Sequence, residues 1–416
     1  MRDTYFAKKL LTILFLALLA YVWVNNASYT TIGNLYDYLV QDTFLNKETD
    51  VEENDEESDE NDAAEERLLV SDICSAYTEN FNKKNELVNL NGAIAKLFNI
   101  RGLYRDIGMY VYDEGYIVSA AKETSTDYEY EQMVDLKKFL DERGINLLYV
   151  NQPTKYVDDA IFKEEFGVES YCNRNADKFL ERISAAGINI IDLRDEMLED
   201  EMNVYNMFYR TDHHWTTESG LWAAEKIAEG LNEYCGYDID LSIYNHSNYS
   251  FEEVQDCWIG EQGRKVGLSY VGLDDFTIIR PNFETNYTYI YVTKPETYDG
   301  TFDEFINDEV YSSERANGSY YGRNWYYSYS GKSVINHNVE TGKILLLSDS
   351  YAQVMEPFLS LGVGEIKKVL LRDFKGNIRE VIENAGCDTV VIAYAEFMIG
   401  AHDNPESSNY KMFAFD

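Results

Sequence analysis

Apolar positions along the chain follow two spacings. Short apolar runs flanked by turn residues occur at INLLYVN (145–151), INIIDL (188–193), KILLLSD (343–349), KKVLL (367–371) and DTVVIAY (388–394). Runs of this length, apolar on consecutive positions, predict strands covered on both faces, as in a parallel sheet. Elsewhere apolar residues recur at three- and four-residue steps: Met133, Leu136, Phe139 and Leu140 before the first run, Phe179, Ile183 and Ala186 before the second, and Leu221, Ala224, Ala228 and Leu231 further on. These predict amphipathic helices. Gly144 and Gly187 stand just before the first two strands, where helix C-terminal caps belong. Strand and helix in alternation give an α/β domain with a mainly parallel sheet and helices on both faces.

A long stretch from about 237 to 340 interrupts this alternation and is rich in Tyr, Asn and Ser. In NYTYIYVTKPETY, Tyr287, Tyr289 and Tyr291 alternate with Thr288, Ile290 and Val292, which puts the rings on one face of a strand. The stretch reads as a β-rich insertion. Exposed tyrosines there would suit a carbohydrate face, although packing and strand propensity account for most of them equally well.

Two further segments set the surroundings of the domain. In MRDTYFAKKLLTILFLALLAYVWVNNAS, Arg2, Lys8 and Lys9 precede an apolar run from Leu10 to Val24. The flanking charges orient it with the N-terminus cytoplasmic and the body exported. The run is shorter than the ~20 residues of an ordinary span, so a cleaved signal peptide competes with an anchor. No small-x-small cleavage site follows, since Asn25 stands two before Ala27, and this favours the anchor. Residues 47–67 hold twelve acids against two basic residues and read as an extended spacer. The expected organisation is therefore an anchor at 1–30, an acidic extracellular linker at 31–70 and a catalytic domain at 71–416.

The 416 residues carry a formal net charge of -38, with no cluster of Lys and Arg, which argues against a nucleic-acid partner. Five scattered cysteines form no CxxC pair; one bridge, Cys235 to Cys257, is conceivable in an exported domain, but free buried thiols are the default. There is no Gly-rich phosphate loop and no cofactor is expected.

Against this background YRTDHHWT (209–216) stands out, because the chain has only five histidines. Asp212 and His214 are two apart, so in an extended segment the carboxylate could reach one imidazole nitrogen while the other faces a nucleophile. His213 would then point elsewhere, with a role inside the loop, and Thr216 or Thr217 would cap the next helix. The nucleophile is offered by Ser350 in LLLSDSYAQVMEPF, at the carboxyl end of a strand and the start of a helix that Pro357 disturbs. Its alternative role is an N-cap. A metal bound by Asp212, His213 and His214 ranks lower, because adjacent side chains diverge and nothing completes the coordination shell.

TDHHWT, followed downstream by LLLSDSYA and LLRDF and preceded by NQPTK with Pro153 and Lys155, resembles the DHHW proteins, which are similar to the alginate O-acetyltransferases and to other SGNH-hydrolase-like enzymes in a permuted order. The resemblance covers about residues 85–400. It implies an SGNH-hydrolase-like α/β/α sandwich, with Asp212, His214 and Ser350 as a triad. It also implies a cell-surface polysaccharide as substrate and a membrane-bound O-acyltransferase as acyl donor. Ordinary SGNH hydrolases place the Asp and His three apart near the C-terminus, whereas here they are two apart and precede the serine, as in the acetyltransferase branch. The usual glycine and asparagine oxyanion elements are not placed. Arg372 of LLRDF is a candidate for binding the acyl oxygen or substrate, with a surface ion pair as its rival, and Lys155 is a weaker one. The expected activity is membrane-anchored, extracellular O-acetyl transfer; the competing readings are a carbohydrate esterase and a non-catalytic glycan-binding protein.

Overall fold

The computed structural model describes residues 84–104, 108–155, 158–290, 296–307, 320–321, 325–400, 405 and 407–415. The expected anchor and acidic linker, and Cys74, lie outside them. The chain divides after Leu90 into two units. Of the first only the opening of the Lys84–Leu97 helix is described, and all the remaining described residues belong to the second. No helix of the described residues is long and apolar enough to cross a membrane.

Thirteen strands are described. The first three, β1 (Gly102–Tyr104), β2 (Met109–Val111) and β3 (Ile117–Ser119), form a small antiparallel sheet. Then come β4 (Asn146–Gln152), β5 (Asn189–Asp192), β6 (Tyr249–Trp258), β7 (Asp274–Pro281), β8 (Tyr287–Ile290), β9 (Thr297–Gly300), β10 (Ser333–Asn336), β11 (Lys343–Ser348), β12 (Glu365–Val369) and β13 (Thr389–Ala395). The main sheet has the order β5-β4-β13-β11-β12-β10-β8-β9, and β6 pairs with β7 apart from it. Strands β5, β4, β13, β11 and β12 are parallel neighbours, and they are the five apolar runs of the sequence.

The reason those runs lack alternation is visible in their burial. Leu148 and Val150 of β4, Ile344 and Leu346 of β11, and Val391 and Ala393 of β13 enter one core. Their neighbours Leu147 and Tyr149, Leu345 and Leu347, and Val390 and Ile392 enter the other. Helix Thr217–Cys235 packs its Leu221, Ala224, Ala228 and Leu231 into the first core; helices Asp127–Asp141 and Cys172–Ala185 bring Met133, Leu136, Phe179 and Ile183 to the second. Gly144 and Gly187 have φ of 67° and 80° just before β4 and β5, a left-handed conformation that glycine adopts at least cost. This is an SGNH-like α/β arrangement.

The stretch 237–340 departs from the expected insertion. Only β6 and β7 stand apart; β10 joins the main sheet antiparallel to β12, and β8 and β9 extend it, each antiparallel to its neighbour, so the sheet is mixed. Tyr287 and Tyr289 do share a face, as their alternation required, but that face is buried and leaves neither ring free for a sugar. Helix Ala352–Leu359 continues through Pro357. Cys172, Cys235, Cys257 and Cys387 are free thiols, so Cys235 and Cys257 are not bridged.

Candidate active site

The carboxyl ends of the parallel strands converge on one place. Lys155 follows β4 by three residues, Ser350 follows β11 by two, Arg372 follows β12 by three, and Glu396 comes directly after β13. The crevice beyond the carboxyl ends of such strands is where α/β sheets bind ligands.

Asp212 and His214 reach this crevice from a closed loop. Phe208 and Trp215 form an isolated antiparallel bridge, tied by Tyr209 N to His214 O (3.1 Å) and Thr216 N to Met207 O (2.8 Å). Between them residues 210–214 bend, so the two side chains meet through a turn rather than through the extended alternation expected from the sequence. The turn closes on itself: His214 N donates to Asp212 Oδ1 at 3.1 Å, and His214 Nδ1 lies 2.6 Å from the same oxygen. Asp212 Oδ2 accepts from Glu261 N at 2.9 Å. Below the loop, Asp274 accepts from Arg210 N and Thr211 N, each at 2.8 Å, and holds its base. Thr216 caps the next helix, its side chain accepting from Ser219 N.

Burial by itself would raise the Asp212 carboxyl, but the hydrogen bond and charge of His214, the charge of His213 and the Glu261 N–H outweigh it and hold the pKa well below the usual range. Asp212 is therefore a carboxylate and can only accept, which fixes the proton of neutral His214 on Nδ1. Nε2 is left as an acceptor, and Ser350 Oγ lies 2.9 Å from it. The structure thus brings together Asp212, His214 and Ser350 in one hydrogen-bonded line, with Asp212 and His214 buried.

Ser350 is not a helix cap. It sits in the turn before helix Ala352–Leu359, which no side chain caps, and its neighbour closes that turn: Asp349 Oδ1 accepts from Tyr351 N (2.9 Å) and Oδ2 from Ala395 N (2.7 Å), pinning the serine turn to the end of β13. Three further residues lock this turn to the histidine loop. Trp215 Nε1 donates to Tyr351 O at 3.0 Å, Tyr351 Oη donates to His213 O at 2.5 Å, and Tyr326 Oη lies 2.9 Å from the carbonyls of Ser350 and Tyr351. The Tyr326 ring also stacks on His214, 4.0 Å between centroids at 19°. Tyr326 and Tyr351 were missed by sequence reasoning. The signal for Tyr351 was its place beside Ser350; Tyr326 was hidden among many tyrosines.

His213 does not point elsewhere. Its ring centroid lies 3.9 Å from that of His214, and burial pushes its pKa down to about 4, so it is neutral at pH 7. It lines a cavity of 270 Å³ together with Ala120, Ala121, Lys155, Tyr351 and Phe397. Lys155 is buried, donates from Nζ to Arg210 O (3.0 Å) and Gln262 Oε1 (3.3 Å), and lies over the Tyr116 ring. Desolvation lowers its pKa to about 7, against the pull of Asp274 and Asp212. Arg372 does not line this cavity; its Nε lies 3.4 Å from the exposed carboxylate of Asp373, and its charge acts on Asp349, the neighbour of Ser350, and on Tyr327, whose ring lies 6.4 Å from that of His214.

One atom each of Asp212, His213 and His214 come within 4.8 Å of one another, so these adjacent side chains converge rather than diverge. The Asp212–His214 pair within this trio is committed to its mutual hydrogen bond, and the second His214 nitrogen to Ser350. A metal bound there would displace both contacts.

The chain is similar to SGNH-hydrolase-like proteins, among them the AlgX group and the DHHW proteins. Residues 109–247 match the family model described as SGNH hydrolase-like domain, acetyltransferase AlgX. That range carries Lys155, Asp212 and His214, while Ser350 lies beyond it. Among solved structures, PatB1 of Bacillus cereus is 19% identical with a TM-score of 0.55, the match covering 74% of this chain and 99% of that one. A second PatB1 structure, with a sulfonyl adduct, is matched at 17% identity and the same TM-score, over 74% of this chain and 99% of that one. A DHHW family protein from Eubacterium siraeum is 17% identical with a TM-score of 0.51, over 72% of this chain and 93% of that one. At these identities the likeness is one of fold. No curated protein matches the chain by sequence.

Proposed function

We propose that the protein is an exported, membrane-anchored O-acetyltransferase acting on hydroxyls of a cell-surface polysaccharide. The observation that carries this reading is the line Asp212–His214–Ser350, with spacings of 2.6 Å and 2.9 Å and a tautomer set by a charged Asp212. His214 Nε2 takes the Ser350 proton as Oγ attacks the acyl carbon of the donor; the donor's leaving group departs with that proton, leaving acetyl-Ser350. His214 then removes the proton of an incoming sugar hydroxyl, whose oxygen takes the acyl group and frees the serine. Asp212 keeps the imidazole oriented and supports its positive charge. The apolar cavity lined by His213 and Tyr351, with Lys155 in its wall, gives room for a substrate group beside the residues that adjoin His214 and Ser350 in the chain. The acyl donor in this reading is a membrane-bound O-acyltransferase partner, and the N-terminal apolar run holds the domain at the outer face of the membrane.

The test is intact mass of the full chain after incubation with a small acetyl ester. An acetyl group on Ser350, absent in Ser350→Ala, is the expected result. Turnover that survives Ser350→Ala would overturn the assignment. Ser350-dependent release of acetate with no transfer to any added glycan would instead identify an esterase, and the absence of both adduct and turnover a binding protein.

A further inference from the structure

Asp212 and Ser350 come from different parts of the fold. Ser350 leaves β11 of the main sheet, whereas the main-chain supports of Asp212 lie off that sheet. Asp274 of β7 holds the base of the loop, and Ile117 N of β3 donates to Arg210 O at 3.0 Å. Helix Glu261–Val266 is zipped to the loop by Gly260 N to Thr211 Oγ1 (2.7 Å), Gly263 N to Thr211 O (2.8 Å) and Glu261 N to Asp212 Oδ2 (2.9 Å). Loop and helix therefore form one piece, and the reach of His214 to Ser350 depends on how that piece is fixed to the sheet.

Lys155 crosses from the sheet to both parts of it. Three residues after β4, it donates from Nζ to Arg210 O, two residues before Asp212, and to Gln262 Oε1, one residue after Glu261. The Tyr116 ring, its centroid 4.8 Å from Nζ, covers a further side of the ammonium. Three partners match the three N–H groups of an ammonium, which leaves no donor for a substrate although Lys155 lines the cavity. Lys155 is only 6% exposed, and taking an ammonium so far out of water is costly. Methionine would fill much the same space without that cost, so the charge points to a role other than stability.

We propose that Lys155 is a positioning residue, whose ammonium ties the end of β4 to Arg210 and Gln262 and so sets the Asp212–His214 pair where Nε2 reaches Ser350 Oγ. This deepens the transferase reading and rests on its triad, and it assigns Lys155 to the loop rather than to the substrate.

The probe is phenylmethanesulfonyl fluoride with the full chain, read by intact mass. Ser350 Oγ bonds to sulfur, fluoride leaves and His214 takes the serine proton, so the labelling rate reports the triad without any acyl donor or acceptor. Lys155→Met should label Ser350 to the native extent but ~10²-fold more slowly, the scale of an ångström-sized misplacement. With 4-nitrophenyl acetate, kcat should fall by a similar factor and KM stay within about twofold. Extent counts folded sites and rate reads their geometry, so a merely destabilised chain would lose extent. In that case Lys155→Gln, which keeps a donor without the charge, takes its place and should be about tenfold slower at full extent.

The pH dependence is a second readout. The titratable and charged groups facing Lys155 are Tyr116, Asp212, His213 and Asp274, while the Arg210 guanidinium is turned to the carbonyls of Glu114 and Leu273. The ratio of native to Lys155→Met labelling rates cancels the titration of His214, which both chains share. It should shrink between about pH 6 and about pH 10, because burial lowers Lys155 to about 7 and the ammonium is lost over that range. A ratio constant over the range would overturn the proposal, as would native rates in both variants or a raised KM with kcat kept. A native chain whose Ser350 takes no sulfonyl group would sink the triad and the proposal together. Slowed labelling in a protein that never passes acetyl to a glycan would sink only the transferase reading.

Discussion

At the scale of residues, the two adjacent histidines are unequal because of what each ring nitrogen faces. His214 is held between a carboxylate and a serine, while His213 is 32% exposed in its side chain and faces a cavity. His214→Ala removes the base, and turnover of a small acetyl ester should fall ~10⁴-fold, the scale seen for loss of a triad member. His213→Ala opens space beside the His214 ring and should cost about tenfold, chiefly through looser orientation. Equal losses for the two would refute the asymmetry. This pair was legible in the sequence because Asp212, His214 and Ser350 are chemically distinctive. The reason they meet was not legible. Alternation along an extended segment gave the right pair, but the geometry comes from a bent loop closed by main-chain bonds, which no side-chain pattern announces.

At the scale of elements, the site depends on glycines that let neighbouring segments approach. Gly260 has an ordinary φ of -68°, so its role is one of space. A Cβ there would press on Asp212 Cβ and come within 2.6 Å of Thr211 O. Gly260→Ala should therefore displace the Asp212 carboxylate from His214 and lower kcat about 10²-fold, the penalty typical of an ångström-scale misplacement. Gly220 plays the same part between helices: an added Cβ would lie 2.7 Å from Val354 O, in the helix just after Ser350. Gly220→Ala should cost about 1–3 kcal/mol of stability through overpacking, read as a lowered Tm. A Gly260→Ala variant with native kcat would break the link drawn from the turn to the chemistry. The parallel strands and their helices were readable because both faces of each strand are apolar. The antiparallel strands β8, β9 and β10 were not, being four residues each and set among Tyr, Thr and Ser that fit an insertion as well as a sheet edge.

At the scale of the whole molecule, the sequence carried the order of strands and helices but not the buried charges that their carboxyl ends bring together. Glu396 is such a group. It is fully buried, accepts a hydrogen bond from Thr154 Oγ1, and has its other oxygen 3.5 Å from Arg194 Nη1. Burial pushes its carboxyl up to about 7 against the pull of Arg194. The folded chain therefore keeps a proton there that the unfolded chain loses near pH 4.5, and stability from this group falls as pH rises from about 4.5 to 7. Lys155 acts in a different window: its pKa is lowered to about 7, so its penalty builds as pH falls from 10.5 to 7 and is constant below. Between pH 4.5 and 7 the two contributions separate. Glu396→Gln abolishes the first, so its unfolding free energy relative to the native chain should improve across that range, by on the order of 3 kcal/mol. Denaturant titrations of both chains at pH 4.5, 6 and 7.5 measure the difference directly. Curves that run parallel over the whole range would mean that Glu396 is ionised in the folded protein at neutral pH, held so by Arg194, and that the loop carrying Thr154 and Lys155 is fastened by an ion pair rather than by a protonated acid.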